Sequence, residues 1–190
     1  MSTYMCLIKV DQPIDDNIFD FLIQFVSAEK RERIYRQKVK QNADNMLVGA
    51  ALTRLLLWKK FHVPPTASIA YGIYGKPFLS DYPNVHFNIS HSGAYAVCAV
   101  SDRPIGVDVQ AIRPYNPDVA KYVCSFNELM QIESSSDPAS EFTRIWTRKE
   151  AHLKMFGCGL TAESKLAEWP PASKLRTVKY EDAFLSVALF

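Results

Sequence analysis

Oxygen-bearing side chains gather in one short stretch, FNISHSGAYAVCAVSDRPIGVDVQ, running from Phe87 to Gln110. Alternate residues of a strand point to opposite sides. Val85, Phe87 and Ile89 then share one face, and His86, Asn88 and Ser90 the other. Further on, Ile105, Val107 and Val109 oppose Gly106, Asp108 and Gln110. Asp108 and Gln110 therefore point the same way, about 7 Å apart along the strand. Each offers an oxygen of the kind that hard cations such as Mg²⁺ take as ligand, and Gly106 is expected to leave room beside them. A half-exposed strand with a polar outer face has the same pattern, and these residues alone leave both readings open. Ser90-His91-Ser92-Gly93 is not the G-x-S-x-G elbow of hydrolases. Neighbours in an extended chain diverge, so Ser90 and His91 do not make a nucleophile and its base. Small hydroxyls beside Gly93 suit a tight bend whose N–H groups face an anion, with His91 as a further donor to a phosphate.

The second constellation is FTRIWTRKEAHLKMFGCGL, from Phe142 to Leu160. Phe142, Ile145, Trp146 and Leu153 mark the buried stripe of a helix. Thr147, Glu150 and Lys154 share another stripe, and Glu150 and Lys154 form an i,i+4 pair in the favourable order. On a surface such a pair contributes about 0.3–0.5 kcal/mol. Its chemical alternative is a carboxylate on a metal, with a lysine beside the same anion. Composition does not decide between them.

These residues need elements to hold them. Tyr4 to Val10 reads as a strand. Asp15 to Phe25 reads as an amphipathic helix, with Ile18, Phe19, Leu22, Ile23 and Val26 at helical spacing. Ser27 is an N-cap for the next helix. Ala43 to Phe61 is a long helix, and Ile69 to Tyr74 a strand that ends at Gly75-Lys76-Pro77. Strands are expected at Val85–Ser90, Tyr95–Val100 and Ile105–Val109. Pro117 to Glu133 is expected to be one helix, and Ser134 to Pro138 a loop. A helix follows from Glu141 to Phe156, closed by Gly157-Cys158-Gly159. After Glu168 come a Pro-Pro break and two short strands. Each half shows a long helix followed by strands, the pattern of an internal repeat that identity between the halves does not establish.

Bulk properties narrow the class. The 190 residues are 48% hydrophobic and 22% charged, which suits a folded core. No apolar run approaches the roughly 20 residues of a membrane helix, and the first residues do not read as a signal peptide. A net charge of +2 gives no argument for nucleic acid. The four cysteines, Cys6, Cys98, Cys124 and Cys158, have no zinc spacing, and are expected to be reduced and mostly buried in a cytoplasmic protein. Charge is uneven along the chain. Between Ser27 and Lys60 lie Lys30, Arg31, Arg33, Arg36, Lys38, Lys40, Arg54, Lys59 and Lys60, opposed by Glu29, Glu32 and Asp44. Most of these fit a solvated helix surface; some could hold an anion or an acidic partner.

The order of the motifs carries more than any one of them. G-K-P (Gly75 to Pro77), F-N-I-S-H-S-G (Phe87 to Gly93), P-I-G-V-D-V (Pro104 to Val109), S-x-x-E (Ser125 to Glu128) and W-T-x-K-E-A-x-x-K-x-x-G-x-G-L (Trp146 to Leu160) follow one another, with S-x-E-K-R upstream at Ser27 to Arg31. Over most of its length the chain resembles the Sfp-type 4′-phosphopantetheinyl transferases. The resemblance implies an α/β (α+β) pseudo-dimer of two similar subdomains, 1–102 and 103–190, with the active site in the cleft between them. The boundary would lie near Ser101 to Arg103, and the second half, short after Leu160, would lack some peripheral strands. It implies a monomeric enzyme that moves phosphopantetheine from coenzyme A to a serine of an apo carrier protein with Mg²⁺, releasing adenosine 3′,5′-bisphosphate.

By position, Asp108, Gln110 and Glu150 are the expected metal ligands, and Glu150, Lys154 and Glu128 the catalytic groups, Glu128 having been considered as a base. Lys30, Arg33, Lys76, Ser90 and His91 fall where the family grips coenzyme A. Two positions depart from the pattern. Gln110 stands where many members carry Glu, so an amide oxygen replaces a charged one, and Asn45 stands where relatives often carry a basic residue. The rival classes are a catalytically inactive coenzyme A binder and a Ser/His hydrolase.

Overall fold

One order of elements runs through the chain twice. The structure, a computed structural model, describes residues 2–158 and 174–190. The first pass holds β1 (Thr3–Lys9), α1 (Asp16–Leu22) with a 3₁₀ turn after it (Ile23–Phe25), α2 (Ala28–Tyr35) and α3 (Lys40–Phe61). A small hairpin of β2 (Ile69–Tyr71) and β3 (Pro77–Leu79) then leads to β4 (His86–Ser92) and β5 (Tyr95–Ser101). The second pass holds β6 (Ile105–Ala111), α4 (Pro117–Val123), α5 (Phe126–Glu133), α6 (Pro138–Phe156), β7 (Lys174–Tyr180) and β8 (Ala183–Leu189). Each pass makes an antiparallel three-stranded sheet whose last strand lies in the middle: β1-β5-β4 and β6-β8-β7. The registers match as well, since Cys6 faces Cys98 where Asp108 faces Ser186. The molecule is thus a pseudo-dimer of two similar α/β halves within one chain.

Local chemistry starts and stops the helices. Ser27 accepts from the Lys30 N–H at 3.4 Å and caps α2. Asn116 caps α4, and Asp137 caps α6, each with a proline at the start of the helix. Gly157, at φ 74°, ends α6 in the left-handed region that glycine enters freely. The expected helix from Pro117 to Glu133 is in fact two. Ser125 turns extended, at φ −70° and ψ 167°, and forms a reciprocal capping box with Glu128. The hairpin strand β3 was not expected; the chain folds back through Gly72 to Gly75, so β2 stops at Tyr71. The Pro-Pro break and the Gly159-Leu160 end of the long motif lie outside the described residues.

The central strand β5 is buried along its whole length. Tyr95, Val97 and Ala99 pack with Ile105, Val107 and Val109 of β6 and with Ala183 and Leu185 of β8, joining the halves through one apolar layer. Val100 packs with Leu57 of α3 on another side. Cys98 and Cys124 are buried, Cys6 and Cys158 half-buried, and no disulfide joins them among the described residues.

Candidate active site

Where β4 meets β6, side chains rather than a backbone ladder make the joint. Asn88 Oδ1 accepts from Val107 N at 2.9 Å, and Ser92 Oγ accepts from Ala111 N at 3.2 Å. Between them Ser90 Oγ donates to Asp108 Oδ1 at 2.6 Å. Asn88, Ser90 and Ser92 are all buried, so the polar face of β4 is an internal surface and not a solvated one. Ser90 spends its hydroxyl on Asp108 and accepts from Lys154, with no histidine partner among the described residues, which leaves the hydrolase reading without its base.

Helix α6 closes over this joint. Lys154 Nζ donates to Asp108 Oδ1 at 2.6 Å and to Ser90 Oγ at 2.9 Å. Its approach depends on Gly106, in a way the sequence reading had wrong. Gly106 does not leave room beside the carboxylates. A Cβ there would sit 1.9 Å from Ala151 O and 2.4 Å from Met155 N, so α6 backbone fills the space. The glycine lets helix and strand touch, and that contact brings Glu150 and Lys154 beside Asp108. A lone glycine inside an alternating strand was the available signal.

The electrostatics follow from burial. Asp108 is 3% exposed, and desolvation raises its pKa against the lowering effect of Lys154 and Ser90. Glu150 is raised too, by burial first; Lys154 opposes this and the Asp108 charge adds to it. Two carboxylates thus share a low-dielectric site with one lysine between them. Asp108 Oδ2 is buried with no hydrogen-bond partner, and Glu150 makes no side-chain hydrogen bond among the described residues. Gln110 lies two residues further along the same strand face, half-buried, on a cavity of about 390 Å³ that Arg113, Phe142 and Trp146 also border. Among the described residues no three His, Cys, Asp or Glu side chains cluster as a metal site. The two carboxylates fit a hard divalent cation nonetheless: the donors are all oxygen, and one buried oxygen lacks a partner.

A cationic cleft opens from this point. One cavity of about 200 Å³ is bordered by Gly75, Lys76, Asn88, Lys154 and Gly157. An adjoining one of about 160 Å³ shares Gly75 and Asn88 and reaches Ser27, Lys30, Arg33 and Arg54. Burial, with Arg33 adding, lowers the Lys30 pKa to about 8. Burial, then Lys30 and Lys154, lowers His91 to about 4. Basic groups gathered along a partly buried cleft form a site suited to an anion. Lys76 borders the cleft, but its amine donates to Met155 O at 2.6 Å, near the end of α6; burial lowers it to about 8.

Two expected residues have clear structural tasks. Glu128 Oε2 accepts from Ser125 N at 2.7 Å and lies 2.8 Å from Lys149 Nζ. Asn45 is 1% exposed. Its amide donates to Gly93 O at 2.8 Å, so it pins the β4–β5 turn. The structure therefore brings Ser90, Asp108, Glu150 and Lys154 together, lines the adjoining cleft with Lys30, Arg33 and Lys76, and sets His91 within the field of Lys30 and Lys154.

Known proteins share this chain's pattern. A family model for the 4′-phosphopantetheinyl transferase superfamily matches residues 104–184, and one described as 4′-phosphopantetheinyl transferase, N-terminal, matches residues 12–103. A 4′-phosphopantetheinyl transferase of Bacillus subtilis is 37% identical over 158 residues, covering 81% of this chain and 70% of that protein. The 4′-phosphopantetheinyl transferase ffp of Bacillus subtilis is 34% identical over 186 residues, covering 96% and 79%. The 4′-phosphopantetheinyl transferase Sfp of Bacillus subtilis strain 168 is 32% identical over 158 residues, covering 81% and 70%. Matches that span both halves, at such identity and coverage, show that the chain belongs to the 4′-phosphopantetheinyl transferase family.

Proposed function

We propose that this protein transfers the 4′-phosphopantetheine arm of coenzyme A to a serine of an apo carrier protein. The observation that carries the reading is the buried Asp108, paired with Lys154 and Ser90 where a cleft bordered by Lys76, Lys30 and Arg33 begins. A pyrophosphate is the kind of ligand such a cleft suits.

In this reading Lys30, Arg33 and His91 hold the nucleotide phosphates, and Ser90 and Lys76 complete the grip near the joint. The serine oxygen bonds to the β-phosphorus, the bond from that phosphorus to the bridging oxygen breaks, and adenosine 3′,5′-bisphosphate leaves. Asp108, Gln110 and Glu150 would hold Mg²⁺, which supplies neutralisation of the charge that builds on the phosphate oxygens. Lys154, already against Asp108, neutralises the pyrophosphate, and the serine proton passes to the carboxylate of Glu150 beside it. Both walls of the cleft come from one chain, which supports a monomeric catalyst. Four cysteines with no disulfide among the described residues support a reducing, cytoplasmic setting, and no helix among the described residues is long and apolar enough to cross a membrane.

The test is incubation with coenzyme A, Mg²⁺ and a panel of apo carrier proteins from fatty-acid, peptide, polyketide and siderophore synthesis. A mass gain of one phosphopantetheine arm on a carrier is the expected result. Coenzyme A binding with no transfer to any carrier would mark an inactive binder and sink the proposal.

A further inference from the structure

Lys149 precedes Glu150 in α6 but lies on the buried side of the helix, 5% exposed. Its Nζ donates to Val123 O, in the last residue of α4, at 2.9 Å, and lies 2.8 Å from Glu128 Oε2. That same carboxylate oxygen accepts from Ser125 N at 2.7 Å, and Ser125 Oγ accepts from Glu128 N at 3.3 Å. One ammonium therefore fastens the end of α4 and the start of α5 to the flank of α6. A lysine this buried is costly unless its charge is paired and its protons are bonded. Here the charge is paired with Glu128 and one proton goes to Val123 O, and no hydrogen bond or ion pair joins Glu128 to Ser90, Asp108, Glu150 or Lys154 among the described residues.

The rotation of α6 about its axis is thus set from three sides. Ala151 and Met155 press on Gly106 of β6, the Thr147 hydroxyl meets Ser186 of β8 at 2.9 Å, and Lys149 reaches the α4–α5 corner. Glu150 and Lys154 continue the Thr147 stripe and emerge beside Asp108. We infer that Lys149 and Glu128 are a positioning pair, which holds α6 so that Glu150 and Lys154 meet Asp108, and that Glu128 is not the proton acceptor of the reaction. The inference rests on the transferase reading, since it concerns how that site is aligned.

The experiment compares Glu128→Gln, Lys149→Met and the double variant. It measures kcat and KM for coenzyme A and carrier, the pH–rate profile, and amide hydrogen exchange over residues 138–156. Glu128→Gln keeps an acceptor oxygen, so its activity should stay within about tenfold of wild type with the pH–rate profile unchanged. Lys149→Met leaves a carboxylate without its cation and should lower kcat more. The double variant should recover part of that loss, since residues acting as one unit are non-additive. Exchange in α6 should quicken most in Lys149→Met. A general base gives the opposite pattern: about 10²–10⁴-fold loss in Glu128→Gln alone, a lost limb of the pH–rate profile, and Lys149→Met near normal. That pattern would overturn the inference, as would unchanged exchange in Lys149→Met. Should Lys149→Met not fold, the pH–rate profile of Glu128→Gln decides alone. Wild-type protein that loads no carrier counts against the transferase reading; the exchange data still decide whether the pair holds α6.

Discussion

At the scale of single residues the site is a balance of buried charges. Asp108 and Glu150 repel each other as well as losing solvent. Asp108→Asn should therefore cost transfer without unfolding the protein, because it removes charge from the proposed Mg²⁺ shell while keeping shape. Metal stabilisation of phosphoryl charge is worth several kcal/mol, so the loss should be about 10²–10⁴-fold in kcat/KM. Gln110→Ala should cost far less, since no charge is lost. Gln110→Glu should shift the Mg²⁺ dependence of transfer to lower concentration, and an unchanged dependence would place residue 110 away from the metal. Ligand binding should also move protons. In the free protein Lys30 has a pKa near 8, so it is about half neutral at pH 8, and an anion beside it returns the value toward the ordinary lysine range. Coenzyme A binding at pH 8 should then take up protons, read by calorimetry in buffers of different ionisation enthalpy. Lys30→Arg, which cannot titrate there, should reduce the uptake by about half a proton. His91→Ala should leave it unchanged, because His91, held at about 4, is neutral at pH 8 with or without ligand. Equal uptake in wild type and Lys30→Arg would remove Lys30 from the phosphate site.

At the scale of elements, α6 and β6 make the site together, and Gly106 is where they touch. Gly106→Ala inserts a Cβ 1.9 Å from a helix carbonyl, with backbone on every near side and no flexible side chain to give way. Overpacking of this kind costs about 1–3 kcal/mol and sometimes more. The expected result is a lower Tm and a larger fall in transfer than in coenzyme A affinity, since α6 moves while the Lys30–Arg33 end of the cleft stays. A variant with wild-type Tm and turnover would mean that α6 does not depend on this contact. The sequence announced much of this level. Strand alternation put Asp108 and Gln110 on one face, and the helical stripe put Glu150 and Lys154 on another, because both periods are written in the order of residues. What stayed hidden depends on contacts between distant segments. Gly106 looked like space for a ligand because nothing local says that Ala151 and Met155 will fill it. Nothing local marks Lys149, because its partner, Glu128, belongs to a different helix. The break at Ser125 was legible as S-x-x-E, but an unbroken helical pattern on both sides outweighed it.

At the scale of the molecule, the two halves share a topology but not a chemistry. Superposing the strand registers sets Cys6 against Asp108, Ile8 against Gln110 and Cys98 against Ser186. Thr53 bonds the Cys98 thiol as Thr147 meets Ser186, which sets Leu56 against Glu150 and Lys60 against Lys154. At these matched positions only the second half carries acidic groups, so the repeated frame gives one site; the other half supplies Ser90 and the cationic wall. The halves must then keep their relation, and a second tie lies at the hairpin turns. The Tyr95 hydroxyl is 2.9 Å from Glu181 Oε2 and 2.5 Å from Asp182 Oδ1, and Lys9 Nζ is 2.5 Å from Glu181. The Tyr95 hydroxyl holds Asp182 below its ordinary 3.8, while Lys9 first and Tyr95 next hold Glu181 below 4.5. Lowered carboxylates stabilise the fold above their unfolded values, and that contribution fades as pH falls through the folded ones. Tyr95→Phe removes one hydrogen bond, worth about 1 kcal/mol, and should lower Tm by about 2–4 °C at pH 7. The gap should narrow as pH falls below the ordinary 3.8 and through the lowered folded values, where both carboxylates take up protons. Thermal melts of the two proteins from pH 7 to pH 3 test this. A gap that persists unchanged at pH 3 would mean that Tyr95 acts through packing, and that the halves are not tied by its bond to the β7–β8 turn.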